Sequence, residues 1–189
     1  MSGELTSMVV DDVVEKMAKV IDHVKAEFAA VRTGRANPAI VEGLQVEYFG
    51  TFTPLKQLAG FSVPDARLLV ISPYDKGSLG AIEKAITSSD LGMSPSNDGN
   101  VIRLSFPPLT EERRKEYVKV VKTKAEEGRV QLRNLRRHAR SELEGLEKDA
   151  SISSDEVERV EKQVEQLVKD QVSAVDELVA IKEKELLEV

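Results

Sequence analysis

Five arginines, Arg129, Arg133, Arg136, Arg137 and Arg140, fall within twelve residues, and no acidic residue interrupts them. Steps of four, three and four put Arg129, Arg133, Arg136 or Arg137, and Arg140 on one side of an α-helix. Guanidinium groups stay charged and present planar forks of donors that match phosphate oxygens. The chain as a whole is acidic, with 27 Lys and Arg against 33 Asp and Glu and a formal net charge of −6. A cationic ladder kept on an acidic molecule marks a face reserved for an anionic partner. The competing reading is a solvated face salt-bridged to neighbouring helices, and the absence of carboxylates inside the run weighs against it.

A second basic group is Arg32-Thr33-Gly34-Arg35-Ala36-Asn37-Pro38. It reads either as a turn with solvated arginines or as a hinge whose arginines anchor one domain on the other or on a polyanion. Gly34 would supply free backbone angles and Pro38 would restrict the exit. In Arg113-Arg114-Lys115, the nearby Glu111 and Glu112 favour local pairing over ligand binding.

Acid–base and metal chemistry find no support. His23 and His138 are the only histidines and Cys is absent, so a zinc site, a thiol nucleophile or a disulfide lacks its residues. There is no Walker A loop, no Gly-x-Gly-x-x-Gly and no Gly-x-Ser-x-Gly elbow. The chain is therefore read as a non-enzyme with no catalytic residue, metal or cofactor. Aromatics are 4% and Trp is absent, which argues against a stacking platform for single strands. No 18-residue apolar run and no signal peptide is found, so a soluble, cytoplasmic protein without membrane contact is expected.

Three amphipathic segments must position the ladder. The first carries Val10, Val14, Met17, Ile21, Val24, Phe28 and Val31 at steps of four and three. The second follows Pro107-Pro108, with Thr110 as N-cap, Glu111 and Glu112 in its first turn, and the seam Val118, Val121, Ala125, Gly128, Leu132, Leu135 and Ala139. Running to about Leu146, it would be roughly 55 Å long. Gly128 costs about 1 kcal/mol against Ala in a helix interior, so close helix approach is its purpose. The third starts at Ser153 with Glu156 completing a capping box, and carries Val157, Val160, Val164, Leu167, Val168, Val175, Leu178 and Val179. Such helices pack as a bundle with small crossing angles.

Residues 33–105 have another period. Leu44, Val46 and Tyr48 alternate, Leu68 to Ile71 form an apolar run, and Val101 to Leu104 follow the turn signal Asn97-Asp98-Gly99. Leu79, Ile82, Ala85 and Ile86 mark a short helix. The fold class is thus α+β: an elongated antiparallel three-helix bundle, residues 1–32 and 106–189, with an inserted small β/α/β domain, residues 33–105. The crossings are Arg32 to Pro38 and Phe106-Pro107-Pro108.

The hinge group and the ladder together resemble the bacterial ribosome recycling factor family. Val46-Glu47-Tyr48-Phe49-Gly50-Thr51, Ser89-Asp90-Leu91-Gly92, Pro107 to Lys115 and Val130 to Arg137 agree in order across the whole chain. The resemblance implies an L-shaped molecule of tRNA-like dimensions. It implies a factor that binds the 70S ribosome after termination, with its bundle on large-subunit rRNA. With GTP-bound elongation factor G it would split the subunits and release the ribosome from mRNA. On these matches Arg129, Arg133, Arg136 and Arg137 are the expected rRNA contacts, Arg136 foremost. Arg32, Gly34, Arg35, Pro38, Pro107 and Pro108 form the expected interdomain hinge. The resemblance departs at His138, where many relatives carry an acidic residue. The alternative is an adaptor whose bundle seam pairs with other helices. Such a protein would oligomerise, whereas three self-sufficient seams imply a monomer.

Overall fold

The computed structural model describes residues 2–188. The chain divides into two compact units, Met1–Phe28 with Lys119–Lys184, and Ala29–Val118 with Glu185–Val189.

The first unit is helical. It is built from α1 (Ser2–Ala29), most of α4 (Glu111–Lys148) and most of α5 (Ser154–Leu187). Ion pairs report the register. Lys122, Arg129 and Arg140 of α4 pair with Glu183, Asp176 and Glu161 of α5, one rising in number as the other falls. Lys124 pairs with Glu27 of α1, while Gly128 lies against Val24. Helix α4 therefore runs antiparallel to both of its neighbours.

The helix ends obey local chemistry. Thr110 Oγ1 accepts from Arg113 N at 3.3 Å, an N-cap with Glu111 and Glu112 in the first turn behind it. Ser153 and Glu156 exchange bonds as a capping box, at 3.4 Å and 3.2 Å. Helix α4 ends on Ala150 in the left-handed conformation (φ 54°), with Ser151 N donating to Leu146 O and Ala150 N to Glu147 O. That is a Schellman closure in which Ala stands where Gly is usual.

The first helix corrects one expectation. Val9 and Val13 are 3% exposed, whereas Val14 is 45% exposed and Val10 half-buried. Two valine doublets offer two phases, and the one in step with Met17, Ile21 and Val24 wins. Of the α4 seam, Val121, Ala125, Gly128, Leu132 and Ala139 are buried as predicted, joined by Leu143. A Cβ built on Gly128 would lie 2.6 Å from Val24 Cγ2, so α1 and α4 approach here too closely for any side chain but glycine's without a shift.

The second unit holds a short helix α2 (Ala39–Glu42), the hairpin β1 (Gln45–Tyr48) and β2 (Thr51–Pro54), and a four-stranded sheet. That sheet contains β3 (Ala59–Asp65), β4 (Leu68–Pro73), β5 (Pro95–Asn97) and β6 (Ile102–Ser105), ordered β3-β4-β6-β5 and wholly antiparallel. Helix α3 (Leu79–Thr87) packs on β1 and β5, and Leu55, Leu69, Ile71, Ile82, Leu104 and Phe106 fill the core. The central strands β4 and β6 are the ones the sequence pattern locates. The edge strands β3 and β5 escape it because a proline, Pro64 or Pro95, removes a ladder donor and breaks the strand signal in each, whereas the proline of central β4, Pro73, comes only at the strand's last residue.

Gly128→Ala adds a methyl against a stiff, buried valine. Overpacking of about 1–3 kcal/mol outweighs the ~1 kcal/mol gain in helix propensity. Urea unfolding should show a net loss of about 1 kcal/mol, and the loss should vanish when Gly128→Ala is made in a Val24→Ala background.

Candidate nucleic-acid interface

Helix α4 turns Gly128, Leu132 and Ala139 inward, and the same rotation turns the arginines outward. Arg133, Arg136, Arg137 and Arg140 are exposed, as is His138, while the Arg129 side chain retains 25% exposure.

Their partners divide the ladder. Arg129 donates through Nε and Nη2 to Asp176 Oδ1 on α5, and through Nη1 to Glu126 Oε2 at 3.2 Å. Burial opposes the Arg129 charge, but the bonds to Asp176 and Glu126 outweigh it and hold the pKa above the ordinary value. Arg133 Nη2 also donates to Glu126. Arg133 first, then Arg129, hold the Glu126 carboxyl below the usual range. Arg140 Nε bonds Glu144 at 3.0 Å and approaches Glu161 Oε1 at 3.3 Å. Arg137 meets the neutral Asn134. Among the described residues Arg136 has no hydrogen bond or ion pair.

The carboxylates missing from the run are thus supplied from outside it. Glu126 sits one turn earlier, and Asp176 and Glu161 come from α5. Glu126 was open to sequence reading, but the other two depend on inter-helix register. For Arg129 and Arg140 the salt-bridged reading holds; Arg136 and Arg137 keep their charge for something else. These two line a groove of about 320 Å³ with Arg140, Val164, Glu161 and Glu165. Solvent-exposed pairs of this kind are worth about 0–1 kcal/mol, so a phosphate oxygen can replace a carboxylate at little cost.

The residues around the first crossing do not form one cluster. Arg32 is 8% exposed and donates Nη1 to Leu91 O at 3.3 Å and Nη2 to Pro107 O at 2.8 Å, with Nε buried and without a hydrogen-bond partner among the described residues. It ties the first crossing to the second. Arg35 is exposed and lies instead on a notch that Gly34 and Pro108 also line. Gly34 is not in the left-handed region and a Cβ there would meet nothing within 4 Å, so neither backbone nor space demands glycine. Pro38 adopts helical angles (φ −54°, ψ −35°) at the start of α2, where it begins a helix instead of extending the exit. Among the described residues no acidic, His or Cys group could hold a metal, and no helix is long and apolar enough to cross a membrane.

Comparison with known proteins gives one consistent result. A family model described as "Ribosome recycling factor" matches residues 24–187. The chain is 54% identical over 183 residues to the ribosome-recycling factor of Cutibacterium acnes, covering 97% of this chain and 100% of that protein. It is 56% identical over 175 residues to the ribosome-recycling factor of Acidothermus cellulolyticus, covering 93% and 95%. A solution structure of a ribosome recycling factor superposes with a TM-score of 0.74 at 40% identity, covering 97% of this chain and 98% of that one. A second structure comprises models of the T. thermophilus ribosome recycling factor and the E. coli elongation factor G bound to the E. coli post-termination complex. It matches with a TM-score of 0.67 at 42% identity, covering 97% and 99%.

Arg32→Lys removes the fork that reaches two carbonyls at once. Thermal unfolding should show a loss of about 2–3 kcal/mol, the worth of charged hydrogen bonds at a buried site. A variant as stable as the wild type would mean the two carbonyl bonds carry no net stability.

Proposed function

This chain belongs to the ribosome recycling factor family, and from that membership we propose that it binds the post-termination ribosome and, with elongation factor G and GTP, splits the subunits and frees the ribosome from mRNA. The family consists of translation factors without an enzymatic step of their own; the elongation factor hydrolyses the GTP. The chain works in the cytoplasm as a monomer.

The observation that carries the docking surface is Arg136. It is exposed, lines the α4–α5 groove, and among the described residues has no hydrogen bond or ion pair to give up. Arg129, Arg133, Arg136 and Arg137 contact phosphates of large-subunit rRNA. Arg136 and Arg137 bind directly, whereas Arg133 and Arg129 exchange Glu126 or Asp176 for phosphate. Arg32, Gly34, Arg35, Pro38, Pro107 and Pro108 form the hinge between residues 33–105 and the remainder, 1–32 with 106–189. Its support is the Arg32 clip, which makes the two crossings one mechanical element. Binding energy and domain motion take the place of bond chemistry.

Arg136→Ala should weaken ribosome pelleting by about tenfold, the value of one charge-assisted bond, and shift unfolding by less than ~0.5 kcal/mol. Wild-type binding should also weaken linearly in log–log salt titration. Pelleting of Arg136→Ala equal to wild type would remove the ladder assignment. The function itself is tested by adding the chain, elongation factor G and GTP to post-termination ribosomes and measuring subunit splitting by light scattering. Splitting no greater than in the control without the chain would overturn it.

A further inference from the structure

Arg35, Arg67, Arg114, Arg136 and Arg159 are the arginines that form no side-chain hydrogen bond or ion pair among the described residues. Arg136 belongs to the ladder. Three of the other four, Arg35, Arg67 and Arg114, line a single notch of about 220 Å³ in the second unit. They come from three separate segments: the first crossing, the β3–β4 turn and the first turn of α4.

Backbone bonds bring these segments together. Ala36 N donates to Ala66 O at 2.7 Å, which sets the Arg35 loop beside the Arg67 turn. Phe106 N donates to Arg67 O at 2.8 Å, which sets that turn beside the second crossing. Thr110 then caps α4, and Arg114 N closes the first helical turn on Thr110 O at 3.0 Å. The buried Leu109 lines the notch, and Glu185 and Glu188 stand on its rim with interactions of their own. Two carboxylates against three guanidinium groups leave one positive charge.

We propose that the Arg35–Arg67–Arg114 notch is a second RNA-backbone site, which takes one phosphodiester of structured RNA apart from the α4 ladder. The inference rests on the reading that this chain docks on ribosomal RNA. The residue chemistry favours phosphate. All three cations are arginines, whose forks fit tetrahedral oxyanions, and among the described residues none has a side-chain hydrogen bond or ion pair to break first, Arg114 feeling only the field of Glu111. One net positive charge matches the single negative charge of a phosphodiester. The composition supplies no aromatic stacking partner there, so the contact reads backbone and not base.

The test is a salt-titrated pelleting series with the full-length chain and purified large ribosomal subunits. It compares wild type, Arg136→Ala, Arg67→Gln and Arg67→Gln/Arg114→Gln, each checked for unchanged helix content and unfolding midpoint. Arg35→Gln replaces any of these that fails the check. Arg67→Gln should weaken binding about fivefold and the double variant more than tenfold, with the salt slope shallower by about 1. Notch variants that bind like wild type while Arg136→Ala weakens would overturn the notch and leave the proposed function standing. A wild-type chain that fails to bind the subunits would overturn both.

A second measurement identifies the ligand. The chain has no Cys, so Ala66→Cys accepts a single hydroxyl-radical source at the notch. Strand cleavage confined to rRNA near the bound factor is the expected result. Weakened binding by Arg67→Gln without rRNA cleavage from position 66 would assign the notch to an acidic protein segment and overturn the phosphate site.

Discussion

The approach of α1 to α4 at Gly128 is the constraint from which the face of the first unit follows. A helix of 38 residues has no fixed rotational phase until something locks it. Here the lock is a position without a Cβ, set against Val24, with Leu132 and Ala139 on the same side. Once that side is buried, the 3.6-residue period leaves no choice for Arg133, Arg136 and Arg137, which must face water. The cost of glycine in a helix is thus repaid as a defined orientation for the arginines.

Electrostatics then sort residues that look alike in sequence. Arg129 and Arg140 lie at the ladder's ends and meet α5 carboxylates, while Arg136 in the middle meets none among the described residues. The second unit repeats the pattern. Arg32 is buried and spends its guanidinium on Leu91 and Pro107 carbonyls, while Arg35, three residues on, stays exposed and, among the described residues, forms no side-chain hydrogen bond or ion pair. One arginine of the pair is a structural clip and the other is available to a ligand. Residue type and spacing are the same kind of signal in both cases, and only the neighbours differ.

Much of the architecture was legible because periodicity is local. The caps at Thr110 and Ser153, the seams of α4 and α5, strands β4 and β6, and α3 each follow from residues within a few positions of one another. The misreadings also have local causes. Valine doublets left the start of α1 ambiguous, and prolines hid β3 and β5. Gly34 looked like a conformational requirement, yet its backbone is ordinary and its surroundings open.

The amino-acid sequence by itself determined the three long helices and their caps, strands β4 and β6, the buried seam of α4, the exposure of Arg133, Arg136, Arg137 and Arg140, and the family. Each of these is set by side-chain period, capping chemistry and the order of motifs. Only the tertiary structure decided which arginines are free. Asp176 and Glu161 reach the ladder because α5 runs antiparallel to α4 in one register, and Arg67 reaches Arg35 and Arg114 through backbone bonds between distant segments. Coulomb energy and hydrogen bonding depend on distances of a few ångströms. Residues dozens of positions apart acquire such distances only when the chain folds.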